Sequence, residues 1–279
     1  MDNYLCMSVA QDAEAVARRA KRSAPLELLA RFGFLGYGLT HLLVAWLAVR
    51  IATGRPAPEG DQSGALSTLT TQPAGRWLVI AVCVGFAAMT IWQLLEAAVG
   101  HRGERGAMRT AERLLSVGRA VFYGYLGWLA GKVAAGVTRS SADSQESTSA
   151  GLLGEPGGRF IVGAFGVAVA CFGTALVVYG LLRWFEKHLR TGEMSGQAQR
   201  VARVLGVTGY VAKGSAYGIA GMLLMTAAAG YDPSKARGLD AALRTLAAQR
   251  YGPLLLLAMA LGIASFAAFC VVQSRYRKV

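Results

Sequence analysis

The sequence predicts an all-α, polytopic membrane protein: six transmembrane helices built as three parallel two-helix repeats, with both termini cytoplasmic. Three observations predict it. The 279-residue chain is 54% hydrophobic and only 16% charged, where a soluble domain carries about 25% charged residues. Its apolar residues gather into six runs, near 29–52, 77–99, 114–137, 160–182, 204–229 and 251–272, each long enough for the ~20 residues that cross a bilayer core. The chain also resembles itself at fixed offsets.

Residues 1–27 read as a cytoplasmic N-terminal tail. Within it QDAEAVARRAKR suits either a short helix on an anionic membrane face or a frayed end. Three hairpin repeats follow, at 28–100, 112–186 and 200–274, and residues 275–279 close the chain as a second cytoplasmic tail. Arg119 and Lys132 interrupt the third run near its ends, where long side chains snorkel to the interface. The fifth run carries one internal charge, Lys213, near mid-membrane.

The formal net charge is +13. In a soluble chain this would suggest nucleic acid, but no basic stripe with interleaved aromatics is present. Basic residues instead flank the apolar runs. Eighteen of the 29 Lys and Arg fall in the N-terminal flank, the second and fourth connections and the tail, against ten at the other end. The positive-inside rule then places both termini in the cytoplasm. The four cysteines form no C-x-x-C pair and no apolar leader opens the chain, so disulfide, structural metal and signal-peptide readings are not favoured.

The repeat is explicit. At an offset of 177, ALSTLTTQPAG (65–75) falls on ALRTLAAQRYG (242–252) with six matches: Ala65/Ala242, Leu66/Leu243, Thr68/Thr245, Leu69/Leu246, Gln72/Gln249 and Gly75/Gly252. At an offset of 83, QPAGR (72–76) falls on EPGGR (155–159). Gly33 and Gly38 align with Gly209 and Gly214 at 176. A two-helix unit re-enters in the same orientation, so the copies are parallel. In copies one and three the outer connection should end in a small amphipathic helix, with Leu239, Leu243 and Leu246 on one face. The polar SSADSQESTSAG of the middle copy reads as a flexible loop.

On these residues the chain resembles a known family. Ala30, Arg31, Gly33 and Gly38, then Ala65, Leu66, Leu69, Gln72 and Gly75, recur as Ala202, Arg203, Gly209, Lys213, Gly214 and Tyr217 with 242–252. This resembles the bacterial "domain of unknown function twelve-oh-six" family over nearly everything after residue 28. The middle copy departs most, lacking the Ala-Leu start and the Gln. The resemblance implies a six-helix membrane protein and adds no chemistry.

The candidate polar intramembrane site is Lys213 and Tyr217, one turn apart on one face, with Tyr37 and His41 as the copy-one equivalents. Copy two offers Phe122 and Leu126, flanked by Tyr123 and Tyr125. If three hairpins surround an axis, these positions face a shared centre. A lysine deep in a bilayer costs ~2.5–3.5 kcal/mol on insertion scales, so it needs a partner, a headgroup or a wet cavity. No carboxylate partner is evident; Glu96 sits near the cytoplasmic interface. His41 is the only helical histidine, which leaves no pair for bis-histidine haem, and a packed, hydrogen-bonded role is favoured. Gly127 and Gly131, and Gly214, Gly218 and Gly221, mark helix-packing faces, as do Gly163, Gly166, Ala170 and Gly173. Trp46, Trp77, Trp92, Trp128 and Trp184 read as interface anchors.

No metal-ligand cluster, phosphate loop, paired carboxylates or Ser/His/Asp arrangement appears, so catalysis, metals and cofactors are not expected. The favoured function is a non-catalytic accessory or scaffold component of a membrane system. The alternatives are a small-solute or ion permease or channel with a pathway near Lys213, and a lipid-binding or lipid-handling protein. Expected partners are membrane lipids, anionic ones included, a partner membrane protein or a second copy, and no nucleic acid.

Overall fold

The computed structural model describes residues 24–100, 106–137 and 141–277. The N-terminal segment QDAEAVARRAKR lies outside them. Nine α-helices fill the described residues, with no strand among them: α1 (Ala24–Ala52), α2 (Gln62–Thr70), α3 (Gly75–Val99), α4 (Gly106–Ala134), α5 (Ser141–Leu153), α6 (Gly158–Leu181), α7 (Gly196–Gly230), α8 (Gly238–Ala247) and α9 (Gly252–Tyr276). Each repeat is a long helix, a short helix and a long helix.

Among the described residues, four helices are long and apolar enough to cross a membrane: Leu28–Ala52, Gly75–Val99, Gly158–Leu181 and Gly252–Tyr276. The other two long helices, α4 and α7, have 29 and 35 residues. They carry Arg113, Arg119 and Lys132, and Arg200, Arg203 and Lys213, so length and composition do not by themselves mark them as spans. α4 packs along apolar α3, and α7 along apolar α6 and α9.

The long helices pack in the order α4, α3, α1, α9, α7, α6. The second long helix of each repeat lies most extensively against the first long helix of the next: α3 on α4, α6 on α7, and α9 back on α1. Within repeats one and three, α1 meets α3 and α7 meets α9 less extensively. The middle repeat is opened out, with α4 against α3 and α6 against α7. Buried Phe34, Phe86, Phe266 and Phe269 fill the centre.

The turn before each second long helix explains the repeated Q-x-x-G. Gly75, Gly158 and Gly252 donate their N–H to the carbonyls of Gln72, Glu155 and Gln249, at 2.9, 3.0 and 2.8 Å. A Cβ on these glycines would stand 1.7, 1.6 and 2.0 Å from the carbonyl oxygens of Leu69, Leu152 and Ala247. Only glycine fits. The turn uses the main chain of the Gln position, so Glu155 serves the middle copy equally.

One expectation is corrected here. The middle outer connection is the helix α5, not a flexible loop. The Glu59 carboxylate accepts from the Ser141 and Ala142 N–H groups at 3.0 and 3.2 Å, capping the first turn. The Arg237 guanidinium pairs with Asp143 and Glu146 at 2.8 and 2.7 Å, and Ala142, Ser149 and Leu153 are buried beneath. Tertiary partners supply what a polar sequence lacks. The three short helices thereby interlock at one end of the bundle, where the Asp240 carboxylate also accepts from Gly60 N–H at 2.8 Å and Arg244 Nε at 2.9 Å.

Trp92 is a second correction. It is buried rather than an interface anchor, edge-on to Phe34 at 6.1 Å. The Arg277 guanidinium stacks over both rings, at 5.0 Å from Phe34 and 5.4 Å from Trp92. Arg277, read from the sequence as a tail residue, is buried with them.

Candidate functional site

Lys213 sits midway along α7. Its ammonium donates a hydrogen bond to the Tyr37 hydroxyl of α1. It also lies 4.4 Å from the Phe266 ring centroid, 4.8 Å from that of Tyr37 and 5.7 Å from that of Phe122. Ring faces are negative, and a desolvated cation gains about 2 kcal/mol from a good one. Among the described residues the cation's contacts are thus one hydroxyl and three aromatic faces, with no carboxylate.

Tyr37 is buried at the centre of a ring cluster, edge-on to His41 at 4.3 Å, Tyr123 at 5.7 Å, Phe266 at 5.8 Å and Phe86 and Phe122 at 6.1 Å. Edge-to-face contacts at these separations are favourable beyond simple burial. His41 Nδ1 lies 2.9 Å from the Tyr37 carbonyl. A carbonyl only accepts, so Nδ1 carries the hydrogen. The Thr40 hydroxyl donates to the same carbonyl at 2.8 Å.

Beside the ammonium is a small cavity of about 20 Å³, lined by Lys213, His41, Tyr217 and Gln62 with apolar Val44, Leu239 and Ile263. That space is about the size of one water, and the surface it presents is almost entirely apolar. Gln62 and Leu239 belong to the short helices α2 and α8, so the interlocked end of the bundle roofs the cavity.

The structure places all four proposed polar residues at this locus. Lys213, Tyr37 and His41 form one contact group, and Tyr217 faces them across the cavity while its ring rests on Phe172 at 5.5 Å. Phe122 and Tyr123 join; Tyr125 does not, and lies outward against Trp128 at 6.0 Å. Sequence reasoning missed Phe266 and Gln62. Phe266 was findable, because its copy-one equivalent at the 177 offset is Met89. Met89 presses on Gly33 just as Phe266 presses on Gly209.

The glycine faces are places of close approach. Cβ atoms on Gly214 and Gly221 would meet the main chain of Gly173 and Ala170 at 2.5 and 2.4 Å, and one on Gly173 would meet Gly218 N at 2.5 Å. These contacts join α6 to α7. Gly127 and Gly131 of α4 make looser contacts, with Phe86 Cβ at 3.4 Å and Cys83 Sγ at 3.8 Å on α3.

The chain matches Domain of Unknown Function (DUF1206) three times, over residues 32–100, 116–183 and 208–277. It belongs to this family. Each DUF1206 match takes in both long helices of one repeat and the short helix between them. The chain is also similar to "Uncharacterized protein YxxB" of Bacillus subtilis (strain 168), 29% identical over 251 residues, 88% of this chain and 90% of the relative. No solved structure matches the chain.

Proposed function

We propose that this protein is a six-span, non-catalytic accessory or scaffold component of a bacterial plasma-membrane system, with both termini in the cytoplasm. The observation that carries the reading is the position of Lys213. Its hydrogen bond and ring contacts come from all three repeats: Tyr37 from the first, Phe122 from the second, Phe266 from the third. A charge used this way fixes one arrangement of the repeats, at a cost in desolvation. Six crossings are supported by α4 packing along apolar α3 and by α7 lying between apolar α6 and α9, and the orientation by the basic residues at the end holding Arg200, Arg203 and Arg275.

Ion and small-solute flux into liposomes holding the purified parent or Lys213→Met tests the reading. Flux no greater than in protein-free liposomes is expected for both. Flux in the parent that disappears in the variant overturns it. A monomer that recovers no membrane partner from mild detergent also counts against it.

One observation favours a second reading, a permease. A water-sized cavity lies against Lys213, His41, Tyr217 and Gln62 beneath the roof of α2 and α8, where a solute path would have its narrowest point. The liposome assay separates the two.

A further inference from the structure

A groove of about 310 Å³ opens at the end of the bundle that carries Ala24 and Arg277, between the start of α7 and the end of α9. Ligand pockets begin near this size. It is lined by apolar Met194, Ala198, Val201 and Val272 together with Ser195, Gln197 and Tyr276.

The charge around that groove has one sign in excess. Arg275 is exposed, with its guanidinium 5.6 Å from the Tyr276 ring centroid. The Arg190 N–H bonds the Tyr276 carbonyl at 2.7 Å, and its side chain stands 3.8 Å from Glu193. Arg200 is exposed one turn past Gln197 and next to Val201. The first turn of α7 adds N–H groups and the positive end of a 35-residue helix, with only Ala198 N–H taken by the Ser195 hydroxyl at 3.2 Å.

Depth identifies the occupant. α9 has 25 residues, about 37 Å of helix, which exceeds the ~30 Å hydrocarbon core. Its last turn, Gln273–Tyr276, therefore stands at headgroup level, with Val272 just below. A largely apolar lining beside exposed arginines at that depth matches an amphiphile with an apolar tail and an anionic head.

We propose that this groove is a binding site for one anionic phospholipid. An acyl chain lies along Val201 and Val272, and the phosphate meets Arg275, Arg200 and the first-turn N–H groups of α7. This rests on the membrane reading and not on the accessory role, so failure of the liposome flux test leaves it standing.

The test is native mass spectrometry of the full chain in detergent, titrated with phosphatidylglycerol or phosphatidylcholine. One phosphatidylglycerol is expected to be retained in preference to phosphatidylcholine. Arg275→Gln should weaken retention about fivefold, the effect of one surface arginine on an anionic lipid. Val201→Trp, which fills the groove, should abolish it. Arg55→Gln, at the opposite end, should leave it unchanged. Circular dichroism melting identifies any variant that fails to fold, and Arg275→Gln, on an exposed side chain, keeps the test decisive if Val201→Trp misfolds. Equal retention of both lipids, full retention by folded Arg275→Gln, or displacement by inorganic phosphate overturns the proposal. So does a photo-crosslinker at Val272 that captures protein and not lipid.

Discussion

Lys213 and Tyr37 are repeat equivalents, 176 residues apart, and they are hydrogen-bonded to each other. A position that carried a phenol in one copy and an ammonium in another has become a donor–acceptor pair across the centre of the bundle. Duplication brings equivalent positions to a common axis, and identical residues there would have been poor partners. Two ammonium groups would repel; a phenol and an ammonium bond.

This pair predicts an asymmetry between its two single variants. Tyr37→Phe leaves a buried cation with ring faces alone and should cost about 1–3 kcal/mol. Lys213→Met removes the charge with little change in length. It should be nearly neutral or stabilising, because an apolar replacement escapes the desolvation cost. The double variant should then recover most of the Tyr37→Phe loss. Unfolding in detergent measures all three, and a Tyr37→Phe protein as stable as the parent would refute the pairing.

The turn glycines give a second, purely steric expectation. Gly158→Ala sets a Cβ 1.6 Å from the Leu152 oxygen, so the turn must open, at more than about 2 kcal/mol. Gly75→Ala and Gly252→Ala should behave alike. Gly151→Ala in α5 meets nothing within 4 Å and should stabilise by about 0.5–1 kcal/mol. Melting temperatures of the four variants check the contrast.

Two groups outside the spans make stability depend on pH in opposite senses. Burial lifts the Asp61 carboxyl from 3.8 to about 6, against the Gly64 N–H that favours its charged form. A raised carboxyl contributes stability fully below its unfolded value and loses it as pH rises through the folded one. His188 is driven down from 6.5 to about 3, first by burial and then by the charges of Arg277, Arg119 and Lys187. It contributes above 6.5 and loses that as pH falls. Between pH 4 and 6 the two offset one another. Asp61→Asn keeps the helix cap and should make stability climb more steeply with pH across that window. His188→Asn should make it fall. Melting curves at half-unit steps read the slopes, and an unchanged slope in either variant would rule out its group.

The interlocked end yields a fourth prediction. Arg237→Met removes the partners of Asp143 and Glu146 and should loosen α5 by about 1 kcal/mol, the scale of a partly exposed charge network. Hydrogen exchange at Ser141–Leu153 should accelerate severalfold while α9 stays protected. Equal protection in parent and variant would show that Glu59 alone holds the helix.

The sequence by itself determined the helical class, the apolar helices and the threefold repeat, because a bilayer demands long apolar runs and duplication leaves matching letters. It also made Lys213 and Tyr217 the repeat equivalents of Tyr37 and His41, positions that meet if the copies surround a common axis. Only the tertiary structure decided what surrounds them. Phe266 reaches Lys213 because α9 packs on both α7 and α1, a contact no local pattern encodes. The polar SSADSQESTSAG is helical because Glu59 and Arg237, 82 and 94 residues from Ser141 and Asp143, supply its cap and its ion pairs. Trp92 and Arg277 are buried through another such long-range contact, the guanidinium lying over the Phe34 and Trp92 rings, although Trp92 Nε1 and Arg277 Nε find no hydrogen-bond partner there among the described residues. Local periodicity fixes which residues form helices, and the partners that arrive from another repeat decide which polar groups can be buried.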